Sequence, residues 1–299
     1  MRRKSLKRVL CILAVTAGLL AALFAFEVWY SSDWLVMRRY DFTSPKLTQP
    51  VTAVVLSDLH DHAFGAGNRR LIQAVADEQP DVILMLGDML SRDTADTPVV
   101  IDLTAALAQI APVYYALGNH ENDYIRLNGR GILEKLEAAS ARVLNLDYVD
   151  AEIGGQIIRI GGMYDYAFAM DATNSTRKER MDPRIYDFLT EFQDTERLTL
   201  MLSHRPESFV LGEASVTWEI DLTLHGHVHG GQVVLPFVGG LWGGDQGFFP
   251  TYVHGMYEKD LLHILITSGL GTNRQAVPRL NNPPEVVVLS LLPEEMGET

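Results

Sequence analysis

Five short apolar runs in this 299-residue chain each end in side chains of the kind that bind metal ions. Each run has the length of a buried strand. The runs and their endings are Val54–Ser57 before Asp58-Leu59-His60, Val82–Leu86 before Gly87-Asp88, Tyr114–Leu117 before Gly118-Asn119-His120-Glu121, Thr199–Ser203 before His204, and Leu222–Leu224 before His225-Gly226-His227-Val228-His229. Because ligands bind at the carboxyl ends of strands in open α/β sheets, we expect these endings to meet at one edge.

The residue types at these endings predict a metal site. Imidazole, carboxylate and amide groups form a nitrogen–oxygen donor set without sulfur, which suits Mn, Fe, Zn or Ni ions more than Ca. Asp58 and His60 are two residues apart, so in an extended chain they point the same way and could share one metal. His227 and His229 have the same spacing, although a glycine-flanked turn could direct them to different ions. Each fragment alone is more often a surface turn or a helix cap, whereas the ordered set is difficult to obtain by accident.

The remaining sequence alternates strand and helix patterns, which predicts an α/β (α+β) fold with two sheets in a sandwich flanked by helices. Residues 142–161, with a turn at Gly154-Gly155, predict short strands of a second, more antiparallel sheet. Residues 163–181 and 236–255 resist assignment, and the second of these segments is rich in glycine and aromatic residues. Strands are predicted at 51–56, 82–86, 113–117, 199–202, 221–224, 261–267 and 285–291, and helices at 68–78, 98–110 and 132–139.

The N-terminus combines a basic head with an apolar run over residues 9–26, roughly 18 residues, which is just long enough to cross a bilayer. Trp29, Tyr30 and Trp34 follow and suit the headgroup region. We therefore divide the chain into a basic head and transmembrane helix at 1–30, a juxtamembrane connector at 31–50 and a globular domain at 51–299. The basic head predicts a cytoplasmic N-terminus with the domain outside the membrane. A cleaved signal peptide is the alternative, and Arg2-Arg3 also resembles a twin-arginine export signal.

Charge and cysteine content exclude several classes of protein. The formal net charge is −13, and residues 31–299 hold 20 basic and 37 acidic residues. Such a domain repels a phosphate backbone, so we expect no nucleic-acid partner. The single cysteine, Cys11, excludes a disulfide framework and a thiolate metal cluster.

Taken in order, the strand endings resemble the signature of the calcineurin-like metallophosphoesterase superfamily, which runs Asp-x-His, Gly-Asp, Gly-Asn-His-Asp/Glu, His, Gly-His-x-His. The resemblance covers about residues 51–291. It is strongest to a bacterial branch of membrane-associated phosphoesterases, some of which cleave the lipid precursor UDP-2,3-diacylglucosamine. The segments similar to that branch are Ser57-Asp58-Leu59-His60, Phe64-Gly65, His229-Gly230-Gly231-Gln232, Ser268-Gly269-Leu270-Gly271 and Asn282-Pro283-Pro284-Glu285.

The resemblance implies a four-layer fold, two divalent metal ions and a role for each residue. One metal would take Asp58, His60 and His229. The other would take Asn119, His204 and His227, with Asp88 bridging the two. His120 would face the substrate phosphate and assist the leaving group, and Glu121 would orient His120. Ser91, His225 and Val228 depart from the usual residues at their positions, but none of these departures removes a ligand.

The substrate that this resemblance implies is a phosphoester or pyrophosphate. The apolar N-terminus favours a lipid-linked one, and the aromatic residues of 236–255 could accept an acyl chain or a sugar. The same segment could equally be a packed lid without substrate contact. A domain outside the membrane would favour a cell-envelope phosphoester over a cytoplasmic nucleotide-linked precursor. A nucleotide phosphatase or nuclease, and a non-catalytic metal-stabilised binding module, remain alternatives.

Overall fold

The structure, a computed structural model, describes residues 2–164, 168–272 and 277–294, with side chains from residue 6 onward. It consists of an N-terminal helix followed by two six-stranded sheets and the helices that cover them. The helices are α1 (Arg2–Asp33), α2 (Arg69–Asp77), α3 (Pro98–Leu107), α4 (Asn119–Asn128), α5 (Gly131–Ala138), α6 (Pro183–Gln193), α7 (Glu207–Val210) and α8 (Ala214–Thr217). The strands are β1 (Val36–Ser44), β2 (Val51–Leu56), β3 (Val82–Met85), β4 (Val113–Ala116), β5 (Ala141–Leu144), β6 (Asp147–Ile153), β7 (Gln156–Met163), β8 (Leu198–Ser203), β9 (Leu222–His225), β10 (Val234–Leu235), β11 (Gly239–Gly240), β12 (Gly255–Lys259), β13 (Leu262–Ile266) and β14 (Glu285–Pro293).

The first sheet has the strand order β1-β14-β2-β3-β4-β5. Strands β2 to β5 run parallel, while β14 is antiparallel to β2 and parallel to the edge strand β1. Parallel neighbours need long crossover connections, and α2, α3 and the pair α4–α5 supply them. The carboxyl ends of β2, β3 and β4 therefore lie side by side.

The second sheet has the order β12-β13-β9-β8-β7-β6. Its four central strands are parallel, and only the outer strands β6 and β12 pair antiparallel. The second sheet is therefore more antiparallel than the first, as predicted, but only at its two edges. The Gly154-Gly155 turn forms only the β6–β7 hairpin, and β5 belongs to the first sheet.

Three apolar layers hold the sheets and helices together. Val55, Leu84 and Leu200 belong to a buried cluster between the two sheets. Helices α2, α3 and α5 cover the outer face of the first sheet, and α6 covers that of the second. The central strands are buried on both faces, which explains why they are nearly continuous apolar runs. The predicted four-layer sandwich is confirmed.

Part of the predicted connector at 31–50 is instead a strand of the first sheet. Strand β1 pairs with β14 at all nine of its positions, and α1 continues to Asp33. The sequence pattern of β1 is weak because Arg38, Arg39 and Asp41 interrupt its apolar residues, and its partner lies at the far end of the chain. The predictions also missed α6 and placed the end of α3 three residues late.

The two unassigned segments differ in structure. The described part of 163–181 consists of turns with one isolated bridge between Ala169 and Met181, while residues 165–167 lie outside the described part. The segment 236–255 includes the end of a small hairpin formed by β10 and β11.

Helix α1 is long and apolar enough, from Leu6 to Asp33, to cross a membrane. The protein does not bury its apolar stretch, which suits either a signal sequence or a membrane anchor.

Candidate metal centre

All nine residues predicted for the site lie at the edge where the carboxyl ends of both sheets meet. Asp58 and His60 follow β2, Asp88 follows β3, and His204 follows β8. Asn119, His120 and Glu121 form the first turn of α4, while His227 and His229 come after β9. Asn119 and His227 are partly buried, and the other seven are buried.

Among the described residues, the ligand atoms fall into three overlapping groups, two of which contain Asp88. Asp58, His60 and His229 form one group, and Asp88, His204 and His227 form a second. His60, Asp88 and His120 form a third group that links them, and within each group all ligand atoms lie within 4.8 Å of one another. Oδ2 of Asp88 lies 3.1 Å from Nε2 of His204 and 4.0 Å from Nε2 of His60. These buried clusters are consistent with a dinuclear metal site. His227 and His229 belong to different groups. Their spacing allowed either one shared metal or two separate metals, and this grouping favours separate ones.

Buried polar atoms without partners support this interpretation. Nδ1 and Nε2 of His60 and Oδ1 of Asn119 are buried without a hydrogen-bond partner in the described part of the chain. Such atoms cost about 1–3 kcal/mol each when they are left unsatisfied. Nδ1 of His204 lies 2.9 Å from the carbonyl oxygen of Leu86, which can only accept, so Nδ1 carries a proton and Nε2 is directed at Asp88. The donor set therefore fits divalent cations that prefer nitrogen and oxygen ligands.

The electrostatics also suit cation binding. Burial lowers the pKa of His60, His227 and His229, so these rings are neutral, which is the form that binds metals. Burial alone would raise the pKa of Asp88, but the neighbouring ring of His204 outweighs it and the pKa is lowered. Burial likewise opposes protonation of His204, yet Asp88 and Asp58 raise its pKa to about 9. A cation between these groups would take the place of that shared proton.

The backbone at the site is unusual. Asp58, His60, Asp88, His227 and His229 all have φ between 46° and 71°, in the left-handed region that non-glycine residues seldom adopt. Such residues cost about 1–3 kcal/mol each and cluster at functional sites. Asp58 and His60 therefore meet through two left-handed turns. The prediction that Asp58 and His60 share a metal assumed an extended chain between them, and the structure has turns there instead.

Glycines permit the close approach of these turns. A Cβ atom on Gly226 would lie 2.0 Å from Oγ of Ser57 and 2.3 Å from Oδ2 of Asp58. A Cβ atom on Gly118 would lie 2.2 Å from Oδ1 of Asp88. Only glycine fits at these two positions without moving a predicted ligand.

Glu121 holds the turn after β3 against the start of α4. Its fully buried carboxylate accepts hydrogen bonds from the backbone amides of Gly118, Asp88, Met89 and Leu90, and from the hydroxyl of Tyr115. Burial raises the pKa of this carboxyl group. These contacts position Asp88, whereas the proposed orientation of His120 by Glu121 remains a prediction.

The ring of His120 is held by the neighbouring loop. Nδ1 of His120 accepts a hydrogen bond from the amide of Arg92 at 2.9 Å, and the amide of His120 donates to Oδ1 of Asp88 at 2.7 Å. Because Nδ1 is an acceptor, the neutral ring carries its proton on Nε2. That atom lies 3.9 Å from Oδ2 of Asp88, on the side of the metal groups.

Sequence reasoning missed several residues around the site. A pocket of about 100 Å³ is lined by Asp88, Asn119, His120, His227 and His229, together with the unpredicted Val228, Gln232, Trp242 and Gly244. Each had some signal in the sequence: Val228 and Gln232 lie in or beside the final histidine motif, and Trp242 and Gly244 lie in the aromatic, glycine-rich segment 236–255.

Behind the pocket, Asn282 and Arg279 are buried polar residues that support the loops. The side-chain amide of Asn282 donates to the carbonyl oxygens of His229 at 2.7 Å and Gln232 at 3.2 Å. Arg279 donates to the carbonyl oxygens of Ser268 and Gly271, both at 2.9 Å, and burial lowers its pKa to about 10. Asn282 lies in a segment of the resemblance, whereas nothing in the sequence marked Arg279.

The unusual His225 does not belong to any of the metal groups. It is fully buried, and its ring centre lies 5.5 Å from that of Phe209. Burial lowers its pKa to about 3, so the ring stays neutral and acts as packing behind the site.

Sequence comparison relates the chain to known phosphoesterases. The family described as calcineurin-like phosphoesterase matches residues 51–231. Phosphodiesterase YaeI of Escherichia coli is 27% identical over 97% of this chain and 99% of its own length. An uncharacterised metallophosphoesterase of Campylobacter jejuni is also 27% identical, over 85% of this chain, which spans 63% of that relative's length. Among solved structures, phosphopantetheinyl hydrolase of Mycobacterium tuberculosis matches with a TM-score of 0.46 and 14% identity, over 75% of this chain and 90% of that one.

Proposed function

The chain belongs to the calcineurin-like phosphoesterase family and is a metal-dependent phosphoester hydrolase, and we propose that it acts on a phosphodiester or pyrophosphate of the membrane or cell envelope. The observation that carries this proposal is the juxtaposition of a dinuclear ligand set and the helix α1. Both ligand groups lie in the domain whose chain begins directly after α1. A lipid-linked molecule similar to UDP-2,3-diacylglucosamine is one candidate substrate.

The ligand roles follow the grouping of side chains. Asp58, His60 and His229 would hold one cation, and Asn119, His204 and His227 the other, with Asp88 between them. Two divalent ions such as Mn, Fe, Zn or Ni would polarise the phosphoryl oxygens and provide a nucleophile from water at neutral pH. Burial of their ligands strengthens the electrostatic interactions of the site.

His120 would act on the substrate directly. Its Nε2–H faces the pocket because Arg92 holds Nδ1, so the ring can donate a hydrogen bond to a phosphoryl oxygen or to the leaving-group oxygen as negative charge develops there. One such preorganised donor is typically worth about 10²–10³-fold in rate. Glu121 would not contact the substrate and would act as a positioning residue, since its carboxylate accepts a hydrogen bond from the amide of Asp88.

Helix α1 supports a membrane location for the substrate. We propose that α1 remains as an anchor with its basic N-terminus in the cytoplasm and the catalytic domain outside, where a cell-envelope phosphoester would be available. The acidic balance of residues 31–299 disfavours a nucleic-acid substrate.

The test is hydrolysis by full-length protein in detergent and in vesicles, with and without added Mn²⁺. Substrates would be bis-p-nitrophenyl phosphate, p-nitrophenyl phosphate, UDP-2,3-diacylglucosamine, simple nucleotides and single-stranded DNA. We expect metal-dependent diester cleavage, and a higher kcat/KM for the lipid-linked substrate than for the soluble diesters.

Other outcomes would redirect the assignment. Faster cleavage of nucleotides or DNA would favour a nucleotidase or nuclease, and cleavage of the monoester alone would indicate a phosphatase. Binding of two metals without turnover of any of these substrates would indicate a non-catalytic, metal-stabilised binding module.

A further inference from the structure

We propose that the β10–β11 hairpin and the aromatic residues after it form a second membrane contact, which brings the mouth of the metal pocket to the lipid headgroups. The occupant of this surface is the bilayer that α1 enters. The inference rests on the proposed role of α1 as an anchor. We call the surface the hairpin face, and its residues are Phe237, Val238, Trp242, Phe248 and Phe249.

Hydrogen bonds fix the position of the hairpin along the axis of α1. Glu27 is the first acidic residue after the apolar run 9–26, so it marks the level where the hydrocarbon of a bilayer would end. Its Oε1 accepts a hydrogen bond from the amide of Asn281 at 2.6 Å, and the side-chain amide of Asn281 donates to the carbonyl oxygen of Val234 at 3.1 Å. Strand β10, which begins at Val234, is therefore at the level of the bilayer surface.

A second contact makes this placement rigid. The buried Ser31, one helical turn after Glu27, accepts a hydrogen bond from the amide of Asn282 at 3.1 Å and donates to Glu27 at 2.8 Å. Glu27 and Ser31 in the last two turns of α1 therefore bind two adjacent residues of the domain, Asn281 and Asn282. The domain cannot rotate freely about α1 while these bonds hold.

The hairpin tip is close enough to reach the headgroups. Phe237 is three residues beyond Val234, at the turn of the hairpin, so the two are at most about 10 Å apart. The headgroup region is itself about 5–8 Å thick on each side of the hydrocarbon. Aromatic residues prefer this region, and Trp29 and Trp34 at the end of α1 are exposed as well.

The hairpin face exposes more apolar surface than an aqueous environment favours. Phe237 is fully exposed, and Val238, Phe248 and Phe249 each expose more than half of their surface. Exposed apolar patches of this kind mark interaction sites in soluble domains. Because the hairpin lies beside α1, a lipid surface covers this patch without requiring another protein.

The same face borders the metal pocket. Trp242 lines the pocket and contacts Phe248, with the ring centres 4.9 Å apart. Phe249 is tied to the same loop by a hydrogen bond from its amide to the carbonyl oxygen of Leu241. Insertion of the hairpin face would therefore place the ligand groups next to phosphates at the membrane surface.

The test uses fluorescence of full-length protein reconstituted into vesicles of phosphatidylcholine and phosphatidylglycerol. In a Cys11→Ser background, Val238→Cys carries an environment-sensitive fluorophore, and a lipid-borne quencher reports contact. The matched control is Ile157→Cys, since Ile157 is also an exposed apolar residue but lies at the opposite end of the second sheet. We expect quenching at position 238 to be severalfold greater than at position 157, and to fall when Phe237→Ser and Phe249→Ser are added.

Two results would overturn the proposal. One is equal quenching at positions 238 and 157 while α1 is inserted. The other is quenching at 238 that survives both serine substitutions, because the fluorophore alone would then account for it. Neither readout depends on hydrolysis. A lipid-contacting hairpin in a protein that cleaves no phosphodiester would contradict the proposed function and leave the membrane contact standing.

Discussion

The two halves of the metal centre are built differently. The first sheet contributes Asp58, His60 and Asp88 on short turns that hydrogen-bond to one another, since the amides of Asp58 and His60 donate to the carbonyl oxygens of Gly87 and Asp88. The second sheet contributes His227 and His229 at the start of a long segment that continues into the exposed hairpin face. The first half therefore holds its side chains on short, mutually bonded turns, whereas the second half connects its histidines to the surface that we propose contacts the membrane.

The largest expected effect is at Asp88, the proposed bridge between the two metals. Asp88→Asn removes a negative charge that both metals would share, so we expect loss of both metals and a fall in activity of at least about 100-fold. Metal content by elemental analysis and bis-p-nitrophenyl phosphate hydrolysis would be measured together. Asp96→Asn, an exposed aspartate in the loop after β3, is the control and should leave both unchanged. Retention of two metals in Asp88→Asn would contradict its bridging position.

His120→Asn separates hydrogen-bond donation to the substrate from metal binding. We expect both metals to remain while kcat falls by about 10²–10³-fold, because the hydrogen bond from Nε2–H to the reacting phosphate is lost. Steady-state kinetics beside metal analysis would check this. Full activity in this variant would remove His120 from the mechanism.

Gly226→Ala tests whether the two halves depend on their close approach. The added methyl group would collide with the carboxylate of Asp58, so we expect metal affinity to fall by about 10–100-fold without loss of the fold. Calorimetric titration with Mn²⁺ would measure the affinity, and circular dichroism the fold. The control is Gly131→Ala in α5, where a Cβ atom meets nothing within 4 Å. Unchanged affinity in Gly226→Ala would show that the Asp58 turn can move.

The smallest effect is expected at the ion pair between Arg205, which follows His204, and Asp245, which lies in the segment after β11. Arg205 forms an ion pair with Asp245, whose side chain is 38% exposed. Because exposed pairs contribute about 0.2–1 kcal/mol, Asp245→Asn should raise KM only a few-fold and leave kcat unchanged. Asp171→Asn, which breaks another exposed pair with Arg180, provides the control. A large fall in kcat would show that the segment belongs to the catalytic half.

Sequence reasoning predicted what depends on local pattern. The buried strands β2, β3, β4, β8, β9, β13 and β14 lie within two residues of their predicted positions, because burial on both faces leaves continuous apolar runs. The polar residues that end these apolar runs could be identified because they interrupt the apolar pattern. The structure brings all seven predicted ligands to one edge.

What escaped prediction depends on contacts between distant parts of the chain. Strand β1 is defined by its pairing with β14, about 250 residues away, and its own pattern is interrupted by charges. The left-handed turns at Asp58 and His60 are imposed by hydrogen bonds to the loop after β3. Arg279 acts through backbone carbonyl groups, and such contacts leave no pattern in the sequence.

As proposed metal ligands, the five left-handed residues would make the lifetime of the folded protein depend on the metal supply of its surroundings. Without bound cations, the fold would maintain strained turns with no compensating metal contacts, and the buried ligand atoms of His60 and Asn119 would lack partners among the described residues. A ligand present at a thousand times its Kd adds about 4 kcal/mol to stability, which is a large share of what most domains possess. Metal scarcity would therefore reduce the abundance of this protein as well as its turnover, because the strained, metal-free chain would be the better substrate for proteases.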